Sequence, residues 1–293
     1  MRYKYLIISA IVALTVLLYS PTPGFAILGT SEDFAVLGHE TVTNTGPSTV
    51  TGDLGVNPGS AIVGFDDPGG PGTVNGTIHG PDGVSLQARN DANAAWTGLK
   101  NMPFTSNLTG QDLGNRTLTS GVYHFDTSAQ LTGPLTLDAQ GLDNAFWNFQ
   151  IGSTLTTASS SSVALINPGA NNGLYWQVGS SATLGTDTSF IGNILASQSI
   201  TLTTDSDILC GRAFALNGAV TMDTNVISAL CDETGGTGGT GGTGHGVIGG
   251  LVFNENGEVV QAPIASAAVP EPATMALLGL GLLGLRFKKN KIA

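Results

Sequence analysis

The side-chain chemistry this chain repeats most is the hydroxyl and methyl of threonine. Thr136-Leu137-Asp138 recurs as Thr154-Leu155-Thr156, Thr183-Leu184-Gly185, Thr201-Leu202-Thr203 and Thr221-Met222-Asp223, at steps of 18, 29, 18 and 20 residues. Groups that could make and break bonds are sparse by comparison. Asp66-Asp67 lies in a Pro/Gly loop and Asp205 shares a turn with Asp207. Glycan-cleaving chemistry needs carboxylates at set separations, or cations to stabilise a developing charge. Neither acidic pair offers that, and no Ser-His-Asp or Cys-His arrangement is visible. One acidic turn supplies too few oxygens for calcium. His39, His79, His124 and His245 are scattered, none at ligand spacing with a cysteine. The residues thus speak against an enzyme, a metal site or a cofactor.

A period near 18–20 residues is the mark of a β-solenoid, in which each coil gives one strand to each of three faces. The long step contains the loop 167–173, whose removal brings it near the others. Side chains alternate across a strand, so Leu137, Leu155, Leu184, Leu202 and Met222 are expected to point inward as one column. Their Thr neighbours then point outward. One helix interrupts the strands: Val84, Ala88, Ala92, Ala95, Leu99 and Met102 fall at helical spacing, with Asp82 placed to cap its start and Pro103 to stop it. Trp147, Phe149, Tyr175 and Trp176 read as core or helix-contact residues rather than a sugar platform.

Charged residues are 11% of the 293, too few for a helical bundle, a coiled coil or a nucleic-acid binder. Six of the ten basic residues lie in the two ends. From residue 27 to residue 230, 16 acidic residues face Arg89, Lys100, Arg116 and Arg212, a net of −12 that repels nucleic acid and anionic lipid. Residues 1–26 read as a signal peptide, with Arg2 and Lys4, the apolar stretch Leu6–Leu18 and the cleavage site Gly24-Phe25-Ala26. A retained anchor is the alternative. Gly235–Gly244 repeats Gly-Gly-Thr, making residues 233–268 a linker and tether. Residues 269–293 order Pro270-Glu271-Pro272, the apolar run Ala273–Leu285 and a basic end, which favours a tail held in the membrane at least transiently. That order resembles the PEP-CTERM sorting tail. The resemblance implies an exosortase-type processing enzyme and delivery to the cell surface or matrix. The folded body is therefore 27–232. In an exported chain Cys210 and Cys231 read as a disulfide, worth about 3 kcal/mol by loop entropy; two buried thiols are the alternative.

Stacked coils would hold outward Thr in a flat grid, with strands about 4.8 Å apart. Thr is also simply a good strand residue. But this face lacks the Lys and Arg of ordinary solvated sheets. Hydroxyls can anchor water while methyls restrain the molecules between them, so such a grid can match an ice surface. A structural or adhesive matrix protein, touching extracellular polysaccharide through Ser159–Ser162, is the competing reading.

Leu28-Gly29-Thr30, Phe34-Ala35-Val36-Leu37, Gly52-Asp53-Leu54-Gly55-Val56, Gly121-Val122-Tyr123, Trp176-Gln177-Val178-Gly179 and Gly192-Asn193-Ile194-Leu195-Ala196 resemble the microbial ice-binding protein family over residues 27–227. The resemblance implies a mostly β fold: a discontinuous right-handed β-solenoid of triangular section, one long helix alongside, and N-terminal strands capping the stack out of order. It further implies ice and ordered water as the partner of one flat face. The positions that match are Thr154, Thr183, Thr201 and Thr221, then Thr156 and Thr203, with Gln130 and Thr132 on an earlier coil. Asp138, Gly185 and Asp223 depart from an ideal grid, which implies modest rather than extreme activity.

Overall fold

A coil of about twenty residues cannot bury a core by itself and must pair with the coils on either side. The computed structural model describes residues 25–65, 69–231, 251–253 and 259–261. Two units divide the chain, Met1–Ala262 and Pro263–Ala293. The whole sorting tail (269–293), most of the signal (1–24), the Gly/Thr linker, His245 and Asp66-Asp67 lie outside the described residues.

Short parallel strands build three faces. The first runs in the order Ala129–Leu131, Leu155–Thr157, Ala182–Leu184, Ile200–Leu202, Val220–Met222, Thr41–Asn44, Ala61–Val63. The N-terminal coils therefore stack beyond the C-terminal one, and the solenoid is discontinuous. The second face carries Arg116–Thr119, Pro134–Asp138, Ser162–Ile166, the first parts of Ser189–Ala196 and Asp207–Ala215, then Val226–Ser228, Thr49–Thr51 and Thr73–Asn75. The third includes Gly121–Phe125, Phe146–Ile151, Gly173–Val178, the second parts of the two long strands, Phe34–Gly38 and Asp53–Val56. A separate small antiparallel sheet pairs Phe25–Ala26 with Leu251–Phe253, and that strand with Val259–Gln261.

The five inward residues expected as one column are all buried, but they occupy three positions. Leu184, Leu202 and Met222 stack together. Leu155 instead stands beside Ala182, and Leu137 lies on the second face between Leu118 and Leu165. Trp147, Phe149 and Trp176 fill the interior, with Phe149 stacked on Trp176 at 4.1 Å between centroids, while Tyr175 is buried on the helix side of the third face. Cys210 and Cys231 are joined by a disulfide with Cα atoms 4.8 Å apart.

Helix α1 (Gly83–Asn101) lies against the third face. Ala88, Ala92, Ala95 and Leu99 form its buried stripe, packed with Phe34, Leu37, Tyr175, Leu195 and Phe214. Burying Leu99 alone is worth about 2 kcal/mol. Val84, expected in the stripe, is 51% exposed; the buried side of the helix begins instead at Ser85. Both helix ends are satisfied. Asp82 accepts from the Ser85 backbone N–H at 2.8 Å, and Ser85 returns a bond to the Asp82 backbone. At the other end the Asn148 and Gln150 side-chain amides donate to the Leu99 carbonyl, both at 2.8 Å.

The Ser85 backbone N–H, and then the His79 ring, lower the Asp82 carboxyl to about 2. A depressed carboxyl stabilises the fold above its unfolded pKa, and that contribution fades as pH falls through the folded value. Asp82→Ala should therefore lower the melting temperature clearly at neutral pH and much less near pH 2. Thermal melts followed by circular dichroism at both pH values check this; an equal loss at both would contradict the cap.

Candidate functional site

The first face is the one on which threonines form an unbroken row. Register places Gln130 beside Thr156, Thr156 beside Thr183, then Thr201, Thr221, Thr43 and Val63 in turn. Their neighbours along each strand, such as Ala129 and Leu131, Ala182 and Leu184, or Val220 and Met222, are buried. Alternation therefore turns every member of the row outward. Thr156, Thr183, Thr201 and Thr43 are half-buried by one another, while Thr221 is exposed. The Thr43 hydroxyl reaches that of Thr221 at 3.5 Å across the join between the N-terminal coils and the last coil.

Thr154 belongs to the neighbouring row, two residues before Thr156. Its hydroxyl donates to Ser128 at 2.8 Å, and register sets Ser181, Ser199, Ala219, Thr41 and Ala61 along the same line. The third row, one position past the buried residues that follow the central row, holds Thr132, Gly185, Thr203 and Asp223. The Thr132 hydroxyl donates to Asp112 at 2.7 Å, and that of Thr203 to the Leu184 carbonyl at 2.7 Å. Both hydroxyls are thus partly committed to the protein. Gly185 departs from threonine for a steric reason: a Cβ there would lie 2.6 Å from the Thr157 carbonyl oxygen. Asp138 does not interrupt this surface, because its strand pairs on the second face with Thr119 and Ile166. Asp223 does interrupt it.

The Asp223 carboxylate accepts from Thr204 at 2.6 Å, and that hydroxyl holds its pKa below the usual carboxylate range. It stays charged at neutral pH and in mild acid. Thr43 was not singled out from the sequence; its only signal is the alternation Thr41-Val42-Thr43.

A second feature escaped the sequence reading altogether. The turn leaving this face is lined by Ser48, Ser161, Thr188, Ser206 and Asn225, all at most 1% exposed. Asn225 donates to the Thr203 and Ser206 carbonyls, each at 2.8 Å. Ser206 also donates to the Thr203 carbonyl at 2.8 Å, Ser161 to the Leu131 carbonyl at 3.0 Å, and Ser48 to the Asn44 side chain at 2.6 Å. A sheet stays flat over many strands only where stacking or side-chain ladders oppose its twist. This spine fixes the ends of the strands that carry the row. Ser159–Ser162 are part of the same corner, with Ser161 buried, and do not form a face of their own.

Elsewhere chemistry is thin. Asp205 is an exposed turn residue at φ 57°, and Asp207 accepts from the Val226 N–H at 2.7 Å. Among the described residues no three His, Cys, Asp or Glu side chains gather as a metal site. Among the same residues no helix is long and apolar enough to cross a membrane.

The architecture defines a class: a discontinuous parallel β-solenoid with a helix along one face and a hydroxyl row on another. The family described as Ice-binding-like matches residues 36–228, and the chain belongs to that family. The PEP-CTERM protein-sorting motif matches residues 268–290. An ice-binding protein of Nostoc sp. (strain HG1) is 48% identical over 290 residues, covering 98% of this chain and 96% of its own. The crystal structure of an ice-binding protein from the Antarctic ascomycete Antarctomyces psychrotrophicus is 34% identical with a TM-score of 0.65, covering 71% of this chain and all of the other. One from an Antarctic biological consortium is 40% identical with a TM-score of 0.64, covering 71% and 93%.

Proposed function

We propose that this chain binds ice through the first face, with Thr156, Thr183, Thr201, Thr221 and Thr43 as the central contact row. The observation that carries this is the row itself: outward threonines in register on consecutive strands, on a face that α1 does not cover. Evenly held hydroxyls anchor water and the methyls between them restrain it, so the ordered layer can merge with a crystal surface. Adsorbed molecules force ice to advance as curved fronts between them, which slows growth and recrystallisation. Thr154, Thr132, Thr203 and Gln130 border the row. The sorting motif supports export and delivery to the cell surface, with an exosortase-type enzyme as the processing partner.

The test is whether the purified chain at micromolar concentration enters a slowly growing ice ball and facets single ice crystals. Exclusion from the ice and spherical growth would overturn the proposal in favour of a structural or adhesive surface protein.

Asp223 limits the match, because a carboxylate holds liquid water in its own geometry. Asp223→Thr should raise thermal hysteresis. The wild type should show the same hysteresis at pH 5 as at pH 8, since its carboxyl is held ionised. A rise on acidification would contradict this account of Asp223.

A further inference from the structure

We propose that the Cys210–Cys231 disulfide is a mechanical clamp: it stops tension on the C-terminal tail from unzipping the last coil and breaking the threonine row. This goes beyond ice binding and rests on reading the chain as held through its sorting tail.

The topology makes the last coil a weak point under load. Val226–Ser228, the final strand of the solenoid, lies inside the stack, between the Asp207–Ala215 strand and Thr49–Thr51. It is the joint between the C-terminal and N-terminal coils. Its pairing covers three residues toward Thr49–Thr51 and a single pair, Ile208 with Ile227, on the other side. Tension along the tail would pull this strand out end first, breaking its few hydrogen bonds one after another. The next strand to yield is Val220–Met222, which carries Thr221 and joins Thr201 to Thr43. Peeling the tail would therefore cut the contact row.

The bridge sits where the peel would start. Cys231 is buried, three residues beyond the end of the last strand, and its partner Cys210 lies within the long strand of the preceding coil. Tension arriving at Cys231 passes through sulfur to that strand, and the chain between the two cysteines, a sequence separation of 21, carries none of it. The one described structure between Cys231 and the sorting motif is the small sheet of Leu251–Phe253 and Val259–Gln261 with Phe25–Ala26. Its antiparallel ladder to Phe25–Ala26 spans only two residue pairs and cannot take the clamp's place.

Magnetic tweezers applied to the full chain test this, with one handle at Ala293 and the other on an azide-bearing side chain replacing the exposed Thr127. The oxidised protein should show an opening of the terminal sheet and then no extension until the body ruptures. After reduction in the trap, or in Cys210→Ser/Cys231→Ser, an additional early step of up to about 7 nm should appear at lower force, from a sequence separation of 21 at about 3.5 Å per residue step. Reduction of a molecule already seen folded covers the case in which the double variant does not fold. Identical force traces before and after reduction would overturn the clamp. No ice is present in this experiment, so its failure would leave the ice assignment standing, and failure of ice binding would leave the clamp standing.

Discussion

Thr201→Tyr is expected to weaken ice affinity by about tenfold or more, some 1.4 kcal/mol, while leaving the melting temperature almost unchanged. Thr201 is at the centre of the row, paired with Thr183 on one side and Thr221 on the other. A phenol there stands above the plane of its neighbours and lifts the surface away from a flat crystal over several strands. The fold does not depend on this side chain, because the apolar contacts of the coil are made by Ile200 and Leu202 on the opposite side of the strand. Thermal hysteresis and a melt on the same preparation separate the two effects. Unchanged hysteresis would mean that the wrong face has been chosen; a large fall in Tm would mean that Thr201 is structural.

Asn225→Ala is expected to have the opposite signature, damaging stability and ice affinity together. The amide is fully buried, donates to two carbonyls at 2.8 Å, and accepts from the Asp223 N–H at 2.6 Å. Removing it leaves buried polar groups without partners, at a cost of about 3 kcal/mol. For a domain of this size Tm should fall by roughly 6–12 °C. Because Asn225 ties the turn to the strand ends bearing Thr201 and Thr221, hysteresis should fall well below that of the wild type even at 0 °C, where the variant is still folded. A variant that melts early but keeps full hysteresis would show that the spine supports the fold without shaping the face.

Much of this site was legible because its physics is local. Thr183, Thr201 and Thr221 each precede an inward Leu or Met at nearly equal steps, which fixes both their direction and their register. The offset of Thr154, which lies on the expected face but one row over, has a physical origin. Strand side chains repeat every two residues, so a slip of two leaves every residue on its own face and the pattern Thr-Leu-Thr unchanged. Only the pairing of Leu155 with Ala182 settles that Thr156, not Thr154, is in line. Thr43 was hidden for another reason. Its neighbour Thr221 is 178 residues away, and no local spacing reports that an N-terminal coil stacks on the last one. The spine residues Ser161, Thr188, Ser206 and Asn225 look like ordinary turn formers in sequence. Their burial depends on coils stacking above and below, which composition does not reveal. Helix α1 was readable apart from Val84, because its stripe lies within one short span and its start and stop signals, Asp82 and Pro103, directly flank it.

The most direct test of the central claim uses a single-crystal hemisphere of ice exposed to fluorescently tagged protein. The wild type should stain a defined set of planes; Thr201→Tyr should leave the hemisphere dark, and Thr117→Tyr, on the second face, should stain it as the wild type does. Bright staining by Thr201→Tyr with loss in Thr117→Tyr would place the ice-contacting surface elsewhere and contradict the account.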